Sequence, residues 1–429
     1  MLRIITVMVI VTLVFLHNTI YTRTAFANDA ITDAEHFTVK IVVATEYPFG
    51  DESKGTAYGA GFLVDRKRGW ILTNAHVAGR SPSSVRISFK DRPYVKAEKL
   101  HVDTHLDMAV LKIDPSVIPH EATPAPLQCA KEYPPGRPVI AFGHPWSLNY
   151  TATRGIISGT KVSRGVEALQ TDAALNPGNS GGALIDAQTG FVVGINEASI
   201  SRKLSQGLHF AVPIKLVCTV LDLLKQEKEP APPILPISFG TTVRDKELVV
   251  SKVKDVWSQK LKIGDRILAV DGDRSARTVS RALDHMRGKD RVTLLVERNT
   301  KKHEVLVEIP RKKDVLKRRG IHVSGMIIGQ KVNDEADPNK MYVQFVDDAS
   351  LAEQSLFYRN DQISAIDAIT IDSYEKLLKV LTQRNGREAE FIIKREHYSH
   401  TLEWYDYVVR KLRVEHIFEI TENGAKPRR

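Results

Sequence analysis

The run Asn176-Pro177-Gly178-Asn179-Ser180-Gly181-Gly182 narrows the fold and the chemistry more than any other stretch of this chain. It is almost free of side-chain bulk. Glycine admits positive φ and lets another segment come close, so the Ser180 hydroxyl can stand open to a substrate. Taken alone, Gly-Ser-Gly-Gly reads equally well as a tight turn. A serine hydroxyl is a weak nucleophile and needs a base, an acid to orient that base, and donors for a developing oxyanion. Whether the run is a turn or a reactive loop therefore depends on what the rest of the chain supplies.

Upstream, short β-branched and apolar runs recur with Gly, Pro and Asp between them. They are Thr38 to Val43, Tyr58 to Val64, Trp70 to Asn74, Val85 to Phe89, Val95 to Val102 and Met108 to Ile113. Strands at this spacing indicate an all-β barrel. A Pro-rich passage, Pro115 to Pro138, leads to a second set: Val139 to Phe142, Thr151 to Ile157, Ala168 to Thr171, Ala183 to Ile185, Phe191 to Ile195 and Leu208 to Val212. Pro213 then opens a helical pattern, Ile214 to Lys225, and Pro230-Ala231-Pro232-Pro233 reads as a stiff linker.

Beyond the linker an α/β unit occurs twice. The first copy holds Lys262-Ile263-Gly264-Asp265-Arg266-Ile267-Leu268-Ala269-Val270-Asp271-Gly272, the second Phe357 to Asp367. Each is followed by a helical pattern, Thr278 to Met286 or Ser373 to Leu381, and by two closing strands. This is an internal repeat of a small module. Thr421 to Arg429 is polar and reads as a disordered end.

Length and composition set the outer limits. A chain of 429 residues suggests about three domains. With 42% hydrophobic and 26% charged residues it has enough apolar material to bury cores. The net charge of +10 includes a cluster at Arg311, Lys312, Lys313, Lys317, Arg318 and Arg319, read as a solvated linker. It carries neither aromatic interleaving nor a recognition motif, so no nucleic-acid partner is expected. Cys129 and Cys218 lack metal-site spacing, so no metal and no cofactor are expected; two buried free thiols are the favoured reading and a disulfide the other.

Residues 1–27 read as a secretory signal: Arg3, an apolar stretch from Ile4 to Leu16 shorter than the about 20 residues of a membrane span, then Ala25-Phe26-Ala27. The folded part is expected in the periplasm or outside the cell, with membrane attachment only if the signal stays uncleaved.

Three further signals fall in the two barrels. Thr73-Asn74-Ala75-His76-Val77 carries a histidine, Asp107-Met108-Ala109-Val110-Leu111 an aspartate directly before a strand, and the Ser180 run follows; Asp103 competes with Asp107. The order His, Asp, Ser is one that two-barrel hydrolases use. With these motifs the chain resembles the HtrA/Deg proteases, exported chymotrypsin-like serine endopeptidases followed by PDZ modules. The resemblance implies a mostly β chain with a signal peptide (1–27), a chymotrypsin-like protease domain (28–229), two small α/β PDZ-like domains (230–312 and 313–415) and a polar tail (416–429).

It also implies roles. Ser180 would be the nucleophile, His76 the base, Asp107 its orienting acid, and the N–H groups of Gly178 and Ser180 the oxyanion hole. Ala174, six residues before the serine, and Ile195 on the facing strand would shape a small apolar specificity pocket, with Glu197 at its rim. Asn179 stands where trypsin-type zymogens carry an acid, so loop rearrangement rather than N-terminal cleavage would control activity. Gly143-His144-Pro145-Trp146 and Ala183 depart from the family pattern, and the loop Tyr47 to Thr56 is short for it. Ile237 to Gly240 and Ser324 to Ile327 are the candidate carboxylate loops of the two modules.

The implied function is cleavage of misfolded or exposed polypeptide, controlled through the C-terminal modules, by a homo-trimer or larger homo-oligomer. Exposed aromatics such as Phe37 and Tyr47 would pack at the three-fold axis. Two other classes stay open: a chaperone or peptide-binding scaffold with little proteolysis, and a pseudoprotease whose oxyanion loop never becomes competent.

Overall fold

The computed structural model describes residues 30–144, 150–163, 166–197, 208–231, 233, 235–241, 248–253, 255–274, 279–309, 319–330, 339–398, 403–421 and 424–428. The proposed signal, Pro145, Trp146 and all of the basic cluster but Arg319 lie outside them. Contacts divide the chain into two units. One comprises residues 1–42, 58–78 and 85–312, the other 43–57, 79–84 and 313–429.

A helix over residues 30–37 (α1) precedes the first barrel. That barrel closes through β1 (Thr38–Thr45), β2 (Gly55–Asp65), β3 (Trp70–Thr73), β4 (Ser84–Ser88), β5 (Val95–Asp103) and β6 (Met108–Lys112), in the order β1-β2-β3-β6-β5-β4. A short helix, α2 (Ala75–Ala78), follows β3. The second barrel closes through β7 (Pro138–Gly143), β8 (Thr151–Ser163), β9 (Val166–Thr171), β10 (Ala183–Asp186), β11 (Val192–Glu197) and β12 (His209–Pro213), in the order β10-β11-β12-β9-β8-β7. The twelve strands fall on the twelve runs read from the sequence. Closure leaves neither sheet an unpaired edge.

Pro213 caps α3 (Ile214–Lys225), whose apolar face buries Ile214, Leu216, Val217, Cys218, Val220 and Leu221. The thiols of Cys129 and Cys218 are not free as favoured above. They are bonded to each other, with Cα atoms 5.8 Å apart across 89 residues of sequence. Packing of α3 brings them together, and linear spacing carries no trace of that.

The first module is a five-stranded sheet, β13 (Ile237–Thr241), β14 (Leu248–Val253), β15 (Arg266–Val270), β16 (Arg291–Arg298) and β17 (Lys301–Glu308), with α4 (Asp255–Ser258) and α5 (Val279–Met286). Its core is formed by Val250, Trp257, Leu261, Ile267, Val270, Met286, Leu294 and Val296 among others. Ile237 to Gly240, a candidate carboxylate loop, lies in β13 and pairs with β14.

The second module is built on β18 (Gly320–Val323), β19 (Met326–Gln330), β20 (Met341–Val346), β21 (Gln362–Ile366), β22 (Ile369–Thr370), β23 (Glu388–Tyr398) and β24 (Glu403–Arg413), with α6 (Leu351–Gln354) and α7 (Tyr374–Arg384). Ser324 and Gly325, at φ 51° and 88°, form the turn between β18 and β19. The second candidate carboxylate loop is therefore a hairpin.

The end of the chain differs from the disordered tail expected. β25 (Phe418–Thr421) pairs with β18, and β26 (Gly424–Pro427) pairs with β25, so the sheet runs past residue 415. Ile417 and Ile420 are buried, which gives the segment an apolar reason to fold.

The repeat is visible in its ion pairs. In the first module Asp265 accepts Nε and Nη2 of Arg298, both at 2.7 Å, and also the N–H of Lys262. In the second, Asp361 accepts Nε and Nη2 of Arg395, both at 2.7 Å, and the N–H of Tyr358. Both carboxylates are buried. The aspartates were the readable part of this motif; the arginines, 33 and 34 residues on, were not.

Two aromatics expected at a three-fold axis are used within the chain. Phe37 is 1% exposed and meets Phe62 edge-on. In the second unit Tyr47 rests edge-on against His322. Nearby, Phe49 is buried with Ile327 and Ile420, and Lys54 pairs with Asp347 at 2.6 Å. Tyr47 to Thr56 is thus an anchored segment of that unit rather than a plain polar loop. Arg319, assigned above to a solvated linker, lies over the ring of Tyr374 and bonds Glu419.

Candidate active site

β3 delivers His76. The strand is fully buried and ends at Thr73, after which Asn74 accepts the N–H of Ala78 through its carbonyl and opens α2. His76 lies in that single turn. β6 delivers Asp107, the residue directly before it, in the left-handed region at φ 53°. A non-glycine residue there is held by its surroundings. The holders are visible: Asn74 donates Nδ2–H to the Asp107 carbonyl at 2.9 Å, and the His76 N–H donates to Asp107 Oδ1 at 3.0 Å.

With its proton on Nδ1, His76 donates to Asp107 Oδ2 at 2.8 Å. That bond fixes the tautomer and leaves Nε2 as the basic nitrogen. Burial pulls the His76 pKa down. The hydrogen bond to Asp107, its charge and that of Glu197 outweigh burial, so the pKa lies above the ordinary histidine value. A base must be neutral to accept a proton, so a raised pKa moves the loss of activity to higher pH on acidification. We expect the acid limb of kcat/KM against pH to have an apparent pKa above about 6.5. Asp107→Asn should shift that limb to lower pH, as initial rates across pH 5–9 would report.

Ser180 sits where the second barrel meets these strand ends. Its carbonyl accepts the N–H of Ala60 in β2 at 2.8 Å. Thr73 donates its hydroxyl to the Ala60 carbonyl at 2.7 Å, so the same point of β2 is tied to the strand that carries His76. Gly181, at φ 85°, could carry no side chain: a Cβ would lie 2.1 Å from the Ala60 carbonyl oxygen and 2.2 Å from Thr73 Oγ1. Gly182 is equally confined, 2.1 Å from the Phe142 carbonyl. Gly181 is thus where the two barrels touch, Gly182 packs within the second barrel, and the close approach fixes the Ser180 backbone beside β3, which leads to His76.

The remaining predicted positions are distributed around this point. Gly178 is at φ 103°, and its carbonyl accepts the N–H of His144. Asn179 is buried, and its N–H donates to the Asn176 carbonyl. Ala174 is exposed and accepts the Thr153 hydroxyl on its carbonyl. Ile195 is enclosed in the barrel wall, opposite Ala183 and Val212. Glu197, at the end of β11, is close enough to act on His76 through its charge. His144 is buried with its ring 4.1 Å from that of Tyr150. Asp103, the rival to Asp107, pairs with Arg287 at 2.6 Å, while the partner of His76 Nδ1 is Asp107. Among the described residues no cluster of three or more metal-ligating side chains occurs.

Residues 59–195 match the trypsin-like peptidase domain. The chain is 30% identical over 364 residues to a probable periplasmic DegP-like serine endoprotease of Halomonas elongata, covering 77% of this chain and 75% of that protein. It is 32% identical over 287 residues to the chloroplastic protease Do-like 1 of Arabidopsis thaliana, covering 60% of this chain and 64% of that protein. Among solved structures it superposes on the HtrA-type protease AlgW with tripeptide at a TM-score of 0.55 and 27% identity, over 67% of this chain and 98% of the other. The chain belongs to the HtrA/DegP family of serine endoproteases.

Proposed function

We propose that this serine endopeptidase is exported and cuts unfolded or otherwise exposed polypeptide with Ser180, His76 and Asp107. The observation that carries the reading is the 2.8 Å bond between His76 Nδ1 and Asp107 Oδ2, beside a Ser180 backbone tied to the strands that lead to His76. His76 Nε2 takes the Ser180 proton as Oγ attacks the scissile carbonyl. The N–H groups of Gly178 and Ser180 receive the oxyanion. Asp107 stabilises the imidazolium, which then protonates the leaving amine, and water releases the acyl group by the same route. The names of the bacterial relatives support a periplasmic setting. The signal-like residues 1–27 support export, and the family supports a homo-oligomer, a trimer in the simplest case. The domain limits 28–229 and 230–312 are retained, with the second module extended to the end of β26.

Ala174 sets the expected specificity. An Asp at the pocket base selects basic side chains, and a small apolar residue does not. Cuts in casein should fall after Ala, Val and similar residues, and Ala174→Asp should redirect them towards Lys and Arg. Mass spectrometry of the fragments checks both. A majority of wild-type cuts after basic residues would mean the pocket lies elsewhere.

A further inference from the structure

Asp103 and Arg287 form a side-chain pair with no exposed surface on either partner. Arg287 follows α5 of the first module, and Asp103 ends β5 of the first barrel; both belong to the same unit. Arg287 Nη1 lies 2.6 Å from Asp103 Oδ2 and also donates to the Pro230 carbonyl at 2.6 Å, while Nε faces Asp284 Oδ1 at 3.3 Å. Burial alone would raise the Asp103 pKa. The charge of Arg287, with His101 and the Leu106 N–H, holds it below the ordinary carboxylate range.

A buried ion pair is weak evidence of stabilisation, because desolvation of two charges offsets their attraction. Its best attested use is to fix one arrangement among several. The other oxygen shows which arrangement. Asp103 Oδ1 accepts the N–H of His105 at 2.9 Å and of Leu106 at 3.0 Å. These bonds shape the turn that ends at Asp107, the residue held at φ 53°. One carboxylate thus joins the first module to the turn that sets the backbone of the acid facing His76.

We infer that Arg287 is a positioning residue for Asp107, acting through Asp103. The inference rests on the triad reading above. With Arg287 in place, the 103–106 turn is closed and Asp107 is presented to His76. Displacement of the first module would withdraw Arg287, leave Asp103 buried without its cation, and release that turn. The catalytic acid is then the group through which the module changes the rate.

The test uses the full chain and hydrolysis of a short activated peptide ester. Arg287→Met should lower kcat by about 10- to 100-fold with KM nearly unchanged, the scale of a misplaced catalytic group. Asp103→Asn should behave alike, and Arg287→Lys should recover part of the loss. The deciding arm repeats Arg287→Met on an Asp107→Asn background, where less than about a twofold further loss is expected, because residues acting as one unit are not additive. An equal loss in both backgrounds, or a wild-type kcat in Arg287→Met, overturns the inference. Thermal unfolding of each variant, with rates read well below the midpoint, separates loss of fold from loss of positioning. If Asp107→Asn alone keeps full activity, the triad reading fails instead, and the two failures are told apart.

Discussion

Ser180→Ala should abolish proteolysis while leaving the unfolding transition nearly where it is. The expected loss is on the order of 10⁶ in kcat, the scale seen when the serine of a triad is removed. Stability should hold because the loop is kept by backbone contacts that alanine preserves: the Ala60 N–H to the Ser180 carbonyl, and the Gly181 N–H to the Asn196 carbonyl at 3.0 Å. The neighbour makes the contrast. Gly181→Ala would drive a Cβ against the Ala60 carbonyl and Thr73 Oγ1 at a backbone angle that disfavours side chains, so it should lose both fold and activity. Asp107→Asn should fall by about 10⁴ in kcat, because the amide would stabilise the wrong His76 tautomer and no imidazolium. Calorimetry beside casein turnover distinguishes these cases. Residual cleavage by Ser180→Ala above about 1% of wild type would remove the serine from the mechanism.

Opening the bond between Cys129 and Cys218 should cost about 2–4 kcal/mol of stability, since it frees a long loop in the unfolded chain. Cys218 lies on the buried face of α3, which packs on β11 and β12 of the second barrel, so the bond ties the helix following the barrel to the segment preceding it. Cys129→Ala with Cys218→Ala should lower the urea midpoint of the unit that contains the barrels, and dithiothreitol should do the same to wild type. The variant should become insensitive to reductant. A wild-type midpoint indifferent to dithiothreitol would show that the thiols are not joined in solution. An oxidised bond also suits the exported setting proposed above.

Much of the architecture was legible because it follows from local rules. Short β-branched and apolar runs between Gly, Pro and Asp marked the barrel strands, and Pro213 with a helical apolar spacing marked α3 to the residue. Asp107 was separable from Asp103 only by standing directly before a strand, and that criterion picked the one that reaches His76. What Asp103 does instead was hidden, since Arg287 lies far along the chain and nothing in the linear sequence records a fold-made contact. The disulfide was hidden for the same reason. α1 carried a signal that went unread: Ala30, Ala34 and Phe37 recur at helical spacing and are all buried. At the end of the chain, Ile417, Phe418 and Ile420 are apolar anchors within a mostly polar stretch, and composition averaged over the segment concealed them.

The claim that Ser180 is the nucleophile, activated by His76, is tested most directly by a fluorophosphonate. Such a probe phosphonylates a serine only where a base and oxyanion donors act on it, so it reads the assembled site rather than its parts. After labelling, digestion and mass spectrometry, a single adduct on Ser180 is expected, absent in His76→Ala. An unlabelled Ser180 in a folded, casein-degrading protein, or an adduct on a different serine, would contradict it.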